Sequence, residues 1–173
     1  MAQFKLDHRF DAERCRHYLN NIVTVLHCHH YATLFTQLAI DAKELVDGTR
    51  ILKETAEDIF FKMLSDYFKQ NAVADPKERL DLAVQLYSIC GLGKMAVTAA
   101  NENGGTVQMP YAHVDEGWLK KWGKFGTSVN FIGAGFIAAT FAATYSKPTR
   151  SFSVEEQQSR VSGASQSIFK ISK

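Results

Sequence analysis

The chain has 173 residues, a formal net charge of +2, 46% apolar residues and 12 phenylalanines. That length suits one domain with a real core, and a near-neutral balance without basic runs excludes the concentrated positive face that nucleic acid requires. Cys15, Cys28 and Cys90 form no C-x-x-C pair, the N-terminus has no apolar signal core, and the longest apolar stretch is broken by glycines. The expectation is a cytoplasmic protein, in a reducing compartment and off the membrane.

Residues 1–15 read as a polar lead-in. His17-Tyr18-Leu19 and the β-branched run that starts at Ile22 flank Asn20-Asn21, which predicts a β-hairpin because Asn tolerates positive φ. Residues 28–46 carry Leu34, Phe35, Leu38, Ala39, Ala42 and Leu45 at three- and four-residue steps, predicting a helix and a stop at Asp47-Gly48. A second helix is expected over residues 49–71, with Ile51, Leu52, Ala56, Ile59, Phe60, Met63, Leu64 and Tyr67 on one face. Asp75-Pro76 opens a third, which carries Leu80, Ala83, Val84 and Tyr87 and ends at Cys90-Gly91.

The period then changes. Residues 95–99 and 106–111 read as strands joined by a Gly- and Asn-rich turn. Residues 114–123 suit a short amphipathic helix with Trp118 and Trp122 on one side. Residues 130–145 suit a Gly- and Ala-rich helix that packs closely against a neighbour, and residues 151–155 and 167–171 suit two closing strands. Partial segregation of helices and strands predicts one α+β domain over residues 1–173, an antiparallel sheet packed with helices.

The densest chemistry is His27-Cys28-His29-His30-Tyr31. These side chains can line a pocket, anchor a polar ligand, or ligate a metal or haem iron, and they can equally satisfy backbone groups at a strand–helix junction. Only two of the three histidines can face one interior. Cys28 is a nucleophile candidate or an inert thiol. Tyr111, His113, Trp118, Trp122, Phe131 and Phe136 form an aromatic-rich stretch that could wall an apolar pocket or simply fill a core. No cofactor is called for. Gly91-Leu-Gly93 and Gly133-Ala-Gly135 lack phosphate-binding spacings, and neither a catalytic triad nor a carboxylate pair stands out.

At the C-terminus, Asn130-Phe-Ile-Gly-Ala-Gly-Phe-Ile-Ala-Ala is followed by Glu156-Gln-Gln-Ser159, then Gly163, then Ser167-Ile-Phe169-Lys-Ile171. This resembles the end of the vinyl-4-reductase, or hydrocarbon-binding, domain family, clearest over residues 128–172. That family has Glu-x-x-Cys, a Gly four residues on, and a closing Cys-x-Phe-x-hydrophobic strand. In relatives such as the sensor domains of phenol-responsive activators, the glutamate and cysteines hold zinc. Here both cysteine positions are serine, and a neutral hydroxyl does not replace a thiolate, so no metal site is expected at Glu156, Ser159 and Ser167.

The resemblance implies an α+β ligand-binding fold related to transport-particle (TRAPP) subunits and haem nitric-oxide sensors. It also implies an enclosed small hydrophobic or aromatic ligand and a homodimer. The first expectation is a non-catalytic sensor or accessory domain that contacts its ligand through His27, His29, His30, Tyr31, Tyr111, His113, Trp118, Trp122, Phe131 and Phe136. One alternative is an enzyme or accessory factor using the His27–His30 cluster for acid–base work on an aromatic or tetrapyrrole substrate. The other is a dimeric assembly subunit.

Overall fold

A helix with no charged residue, α5 (Phe131–Thr144), runs through the middle of the fold, and every residue from 133 to 144 is buried. Such a helix survives in water only when enclosed on all sides. One side is covered by α2 (Gly48–Gln70), with α3 (Pro76–Ile89) beside it. The other is covered by a four-stranded antiparallel sheet, β4 (Gly93–Asn101), β5 (Gly104–Ala112), β6 (Ser153–Gln158) and β7 (Ser167–Ser172), in the order β4-β5-β7-β6. This computed structural model describes residues 2–173.

The small residues of α5 set the interhelix distance. A Cβ on Gly135 would lie 2.2 Å from the Lys53 carbonyl oxygen and 2.8 Å from Ala56 Cβ, so α2 and α5 touch through their backbones. Phe136 sits between Phe60 and Tyr87, with edge-on ring centroids at 4.7 and 4.9 Å. Arg79 ties the end of α5 to α3, donating to the Thr144 carbonyl at 2.9 Å while its Nε donates to that of Val73. The α+β class is as the sequence predicts.

Several local expectations are corrected. The polar lead-in contains a strand, β1 (His8–Asp11), which pairs antiparallel with β2 (Arg16–Leu19) and, through it, with β3 (Ile22–Thr24). The Asn20-Asn21 turn is as expected, with both residues at positive φ. It belongs, however, to a separate three-stranded sheet. Because β1 itself is largely exposed on both faces, it shows no alternating apolar pattern. Upstream of it, Phe4 is buried and stacks on Tyr67 at 4.1 Å.

The first helix, α1 (His29–Asp41), ends earlier than predicted and passes into a 3₁₀ turn, Ala42–Glu44. Its larger apolar residues face outward. Ala32, Thr33, Thr36 and Ala39 are buried, whereas Leu34, Phe35 and Leu38 are 43–54% exposed and Leu45 is 91% exposed. Small side chains win because α1 crosses α4 (His113–Trp122) at Gly117, where an added Cβ would meet Thr33 Cγ2 at 2.7 Å. Asp47-Gly48 is not a stop but the start of α2, with Asp47 accepting from the Arg50 backbone N–H at 3.0 Å. Ile51 and Ile59, assigned to the inner face of that helix, are about half exposed.

The α2–α5 contact is tested by Gly135→Val, which forces the backbones apart. It should lower unfolding free energy by about 3 kcal/mol in a denaturant titration. Gly126→Ala, where an added Cβ meets nothing within 4 Å, should change it by under about 0.5 kcal/mol.

Candidate functional site

The residues singled out in the sequence do not assemble into one site. Phe136 is core. Tyr111 is 58% exposed, with the Arg160 guanidinium 5.2 Å from its ring centroid. Trp118 is buried against Phe125 and Trp122 at 5.0 and 4.7 Å in a small cluster with Val114, Val129 and Val161. Phe131 lines an open cleft with Lys53, Ser128 and Glu156, where burial lowers the Lys53 pKa and its ammonium donates to the Val154 carbonyl. His30 packs on His29 at 4.3 Å and lies 3.5 Å from Cys28 Sγ, with both His30 and Cys28 exposed. Tyr31 is 56% exposed on the outer face of α1.

His27 and His113 do share a site. They line a groove of about 370 Å³ between the β1–β3 sheet and the turn that joins α3 to β4. His27 follows β3, and His113 opens α4, its backbone N–H donating to the Leu92 carbonyl at 2.9 Å. The two rings meet edge-on at 5.8 Å. Burial pushes the His113 pKa down, a hydrogen bond to the Cys28 backbone acts the other way, and nearby His27 and His29 lower it further. His29 itself turns toward Gly117, and its Nε2 is buried without a partner among the described residues.

The groove contains residues that the sequence did not flag. His8 and His17 line it too, with stacked rings at 5.2 Å and His8 Nε2 2.9 Å from His17 Nδ1. Leu19, Val25, Leu26, Ile89 and Leu92 supply the apolar wall. Cys90 also lines it, with its thiol pushed up to about 11 by burial and therefore protonated and inert. The usable sequence signal was the pair of histidines placed as diagonal neighbours on one face if residues 8–11 and 16–19 formed a ladder, with His8 opposite Leu19 and His17 opposite Phe10. Nothing local announced that ladder.

A second polar centre gathers Glu156, Ser159 and Ser167, the positions named from the resemblance, around Asp115, which the sequence did not flag. Asp115 on α4 is fully buried and accepts from Ser167 Oγ at 3.3 Å, while Ser167 Oγ in turn accepts from the Arg160 backbone N–H at 3.1 Å. Burial, then the charge of Glu156, pushes the Asp115 carboxyl up to about 7, against the Ser167 hydrogen bond and Arg160. Glu156 accepts from Ser128. Asp115 Oδ1, Glu156 Oε1, Ser159 Oγ and Trp118 Nε1 have no partner among the described residues. Burial and these carboxylates raise the Tyr87 pKa; its hydroxyl meets Met109 Sδ at 3.6 Å.

Glu156, Ser159 and Ser167 do not fit a zinc ion. Two of the three donors are neutral hydroxyls, and that of Ser167 is engaged on both sides. Among the described residues, no group of three or more His, Cys, Asp and Glu side chains is arranged to hold a metal ion, the His27–His30 stretch included. No helix among them is long and apolar enough to cross a membrane.

No protein-family model and no curated protein matches the chain. A solved structure does: the phenol-responsive sensory domain of the transcription activator PoxR, crystallised with phenol. It superposes with a TM-score of 0.80 at 10% identity, over 95% of this chain and 84% of that one. The likeness is one of fold.

The buried acid gives a pH test. The Asp115 carboxyl titrates near 3.8 when exposed and near 7 in the folded chain. The folded state therefore binds the proton more tightly. Stability contributed by the protonated form is complete below about pH 4, falls as pH rises to about 7, and is then constant, a total of about 4 kcal/mol. Asp115→Asn should flatten that slope in denaturation curves taken across the range. An unchanged slope would assign it to other groups.

Proposed function

We propose that this chain is a divergent member of the vinyl-4-reductase family that binds a small hydrophobic or aromatic molecule as a sensor or accessory domain. The observation that carries the reading is the groove beneath His27 and His113. It is apolar in body, with imidazoles in its lining, and of a size suited to one small ligand. The fold likeness agrees, since the PoxR domain is a phenol-responsive sensory domain. The ligand residues proposed here are His27 and His113 with His8, His17 and the wall around Leu26 and Leu92, in place of the wider set expected from sequence. Binding itself requires no catalysis.

The test is an NMR titration of the labelled protein with phenol, indole and toluene. Shifts should cluster at Leu26, His27, Leu92 and His113, and Leu26→Asp should weaken binding at least about tenfold by placing a charge in the apolar wall. Leu26 is 77% exposed, so the fold tolerates the change. No shift with any probe would overturn the reading.

The assembly reading has one observation of its own. Tyr31, Leu34, Phe35 and Leu38 recur at helical spacing along the outer face of α1 and are all exposed. An apolar stripe of this kind marks a protein interface. The proposed occupant is the same stripe of a second copy, packed about a two-fold axis, giving the homodimer that the family resemblance implies. Sedimentation should report a dimer for the wild type and a monomer for Leu38→Asp. A monomeric wild type at about 100 μM would remove this reading.

A further inference from the structure

The chemistry of the groove narrows its ligand further, an inference that rests on the groove being the binding site. Four imidazoles reach it, from His8, His17, His27 and His113, and none of its lining residues is Asp, Glu, Lys or Arg. Any positive charge that develops there therefore has no internal counter-charge.

Several ring nitrogens are committed. His8 Nε2 and His17 Nδ1 take each other, and His27 Nδ1 lies 3.1 Å from the Cys28 carbonyl oxygen. His113 is bonded to the same residue's backbone. This leaves His8 Nδ1, His17 Nε2 and His27 Nε2 without a partner among the described residues. An imidazole gains a second N–H donor on protonation, and one lying near like rings is protonated more readily when an anion sits beside it.

The remainder of the groove is aliphatic. Val25 and Leu26 are 75% and 77% exposed, so the wall still has apolar surface to cover. A ligand matched to both parts has an unbranched apolar body and one anionic, acceptor-only head. We propose that the groove takes an apolar monocarboxylate, its hydrocarbon part against Leu26 and Leu92 and its carboxylate at the imidazoles. A cationic amphiphile would find no acceptor charge. A neutral alcohol of the same length would gain the apolar contact but no charge-assisted hydrogen bond.

The experiment is calorimetric titration of the full chain with octanoate, 1-octanol and octylamine, at about pH 6 and about pH 8, either side of the range in which imidazole gains its proton. Octanoate should bind about tenfold more tightly than octanol at the lower pH and lose about fivefold or more on going to the higher one, with octylamine the weakest. His17→Gln with His27→Gln should abolish the octanoate preference and its pH dependence, read as the ratio of octanoate to octanol affinity within the same variant. His27 is exposed and His17 partly so, and the pair can be checked for folding by its denaturation midpoint. Octanol binding as tightly as octanoate at both pH values, or a double variant that keeps the preference, would overturn the carboxylate inference while the groove stands. Failure of all three probes would remove the groove reading with it.

Discussion

The backbone contact between α2 and α5 is the constraint on which the remaining architecture depends. Gly135 admits the Lys53 carbonyl at a distance no side chain would allow. With α2 held that close, α5 is walled by helix on one side and by the central strands β5 and β7 on the other. Its aromatic residues then meet Phe60, Tyr87 and Phe152 in fixed edge-on arrangements. An uncharged helix in this position spends no free energy on desolvating charge, so small-residue packing and burial of apolar surface act in the same direction.

Beside that apolar centre, the acidic cluster that meets β7 at Ser167, on the sheet face of Phe169 and Ile171, is costly. Asp115 is held away from water with one oxygen bonded and one not. A buried carboxyl in that setting favours its neutral form, which accounts for its upward displacement. Hydrogen bonds join the segments around it: Ser128 to Glu156, Arg160 backbone to Ser167, and Ser167 to Asp115. Strand pairing between β6 and β7 carries the rest.

The groove exists because the N-terminal strands form their own sheet instead of extending the main one. That sheet stands over the α3–β4 turn and leaves a space lined by both. The same arrangement sends α1 across α4 on its small residues and turns its leucines outward. The apolar stripe follows from the close crossing at Gly117.

Local pattern determined much of this protein: the helical period of α2, the Asp75-Pro76 start of α3, the Asn20-Asn21 turn, the strand period of β4 and β5, and the enclosed character of α5. Each rests on residues close in sequence, where propensity and capping act directly. His27 and His113 were also visible as candidates, because clustered titratable and aromatic residues are rare enough to notice. Only the tertiary structure decided that these two share a groove with His8 and His17, that Asp115 is buried beside Glu156, and that Leu34, Phe35 and Leu38 face outward. The physical reason is the same in each case. A helix with apolar residues on one side and small ones on the other can bury either, and the choice falls to whichever neighbour offers a glycine for close approach. Likewise β1 has no buried face to leave a mark in its sequence, and its main-chain hydrogen bonds form only when β2 is already beside it.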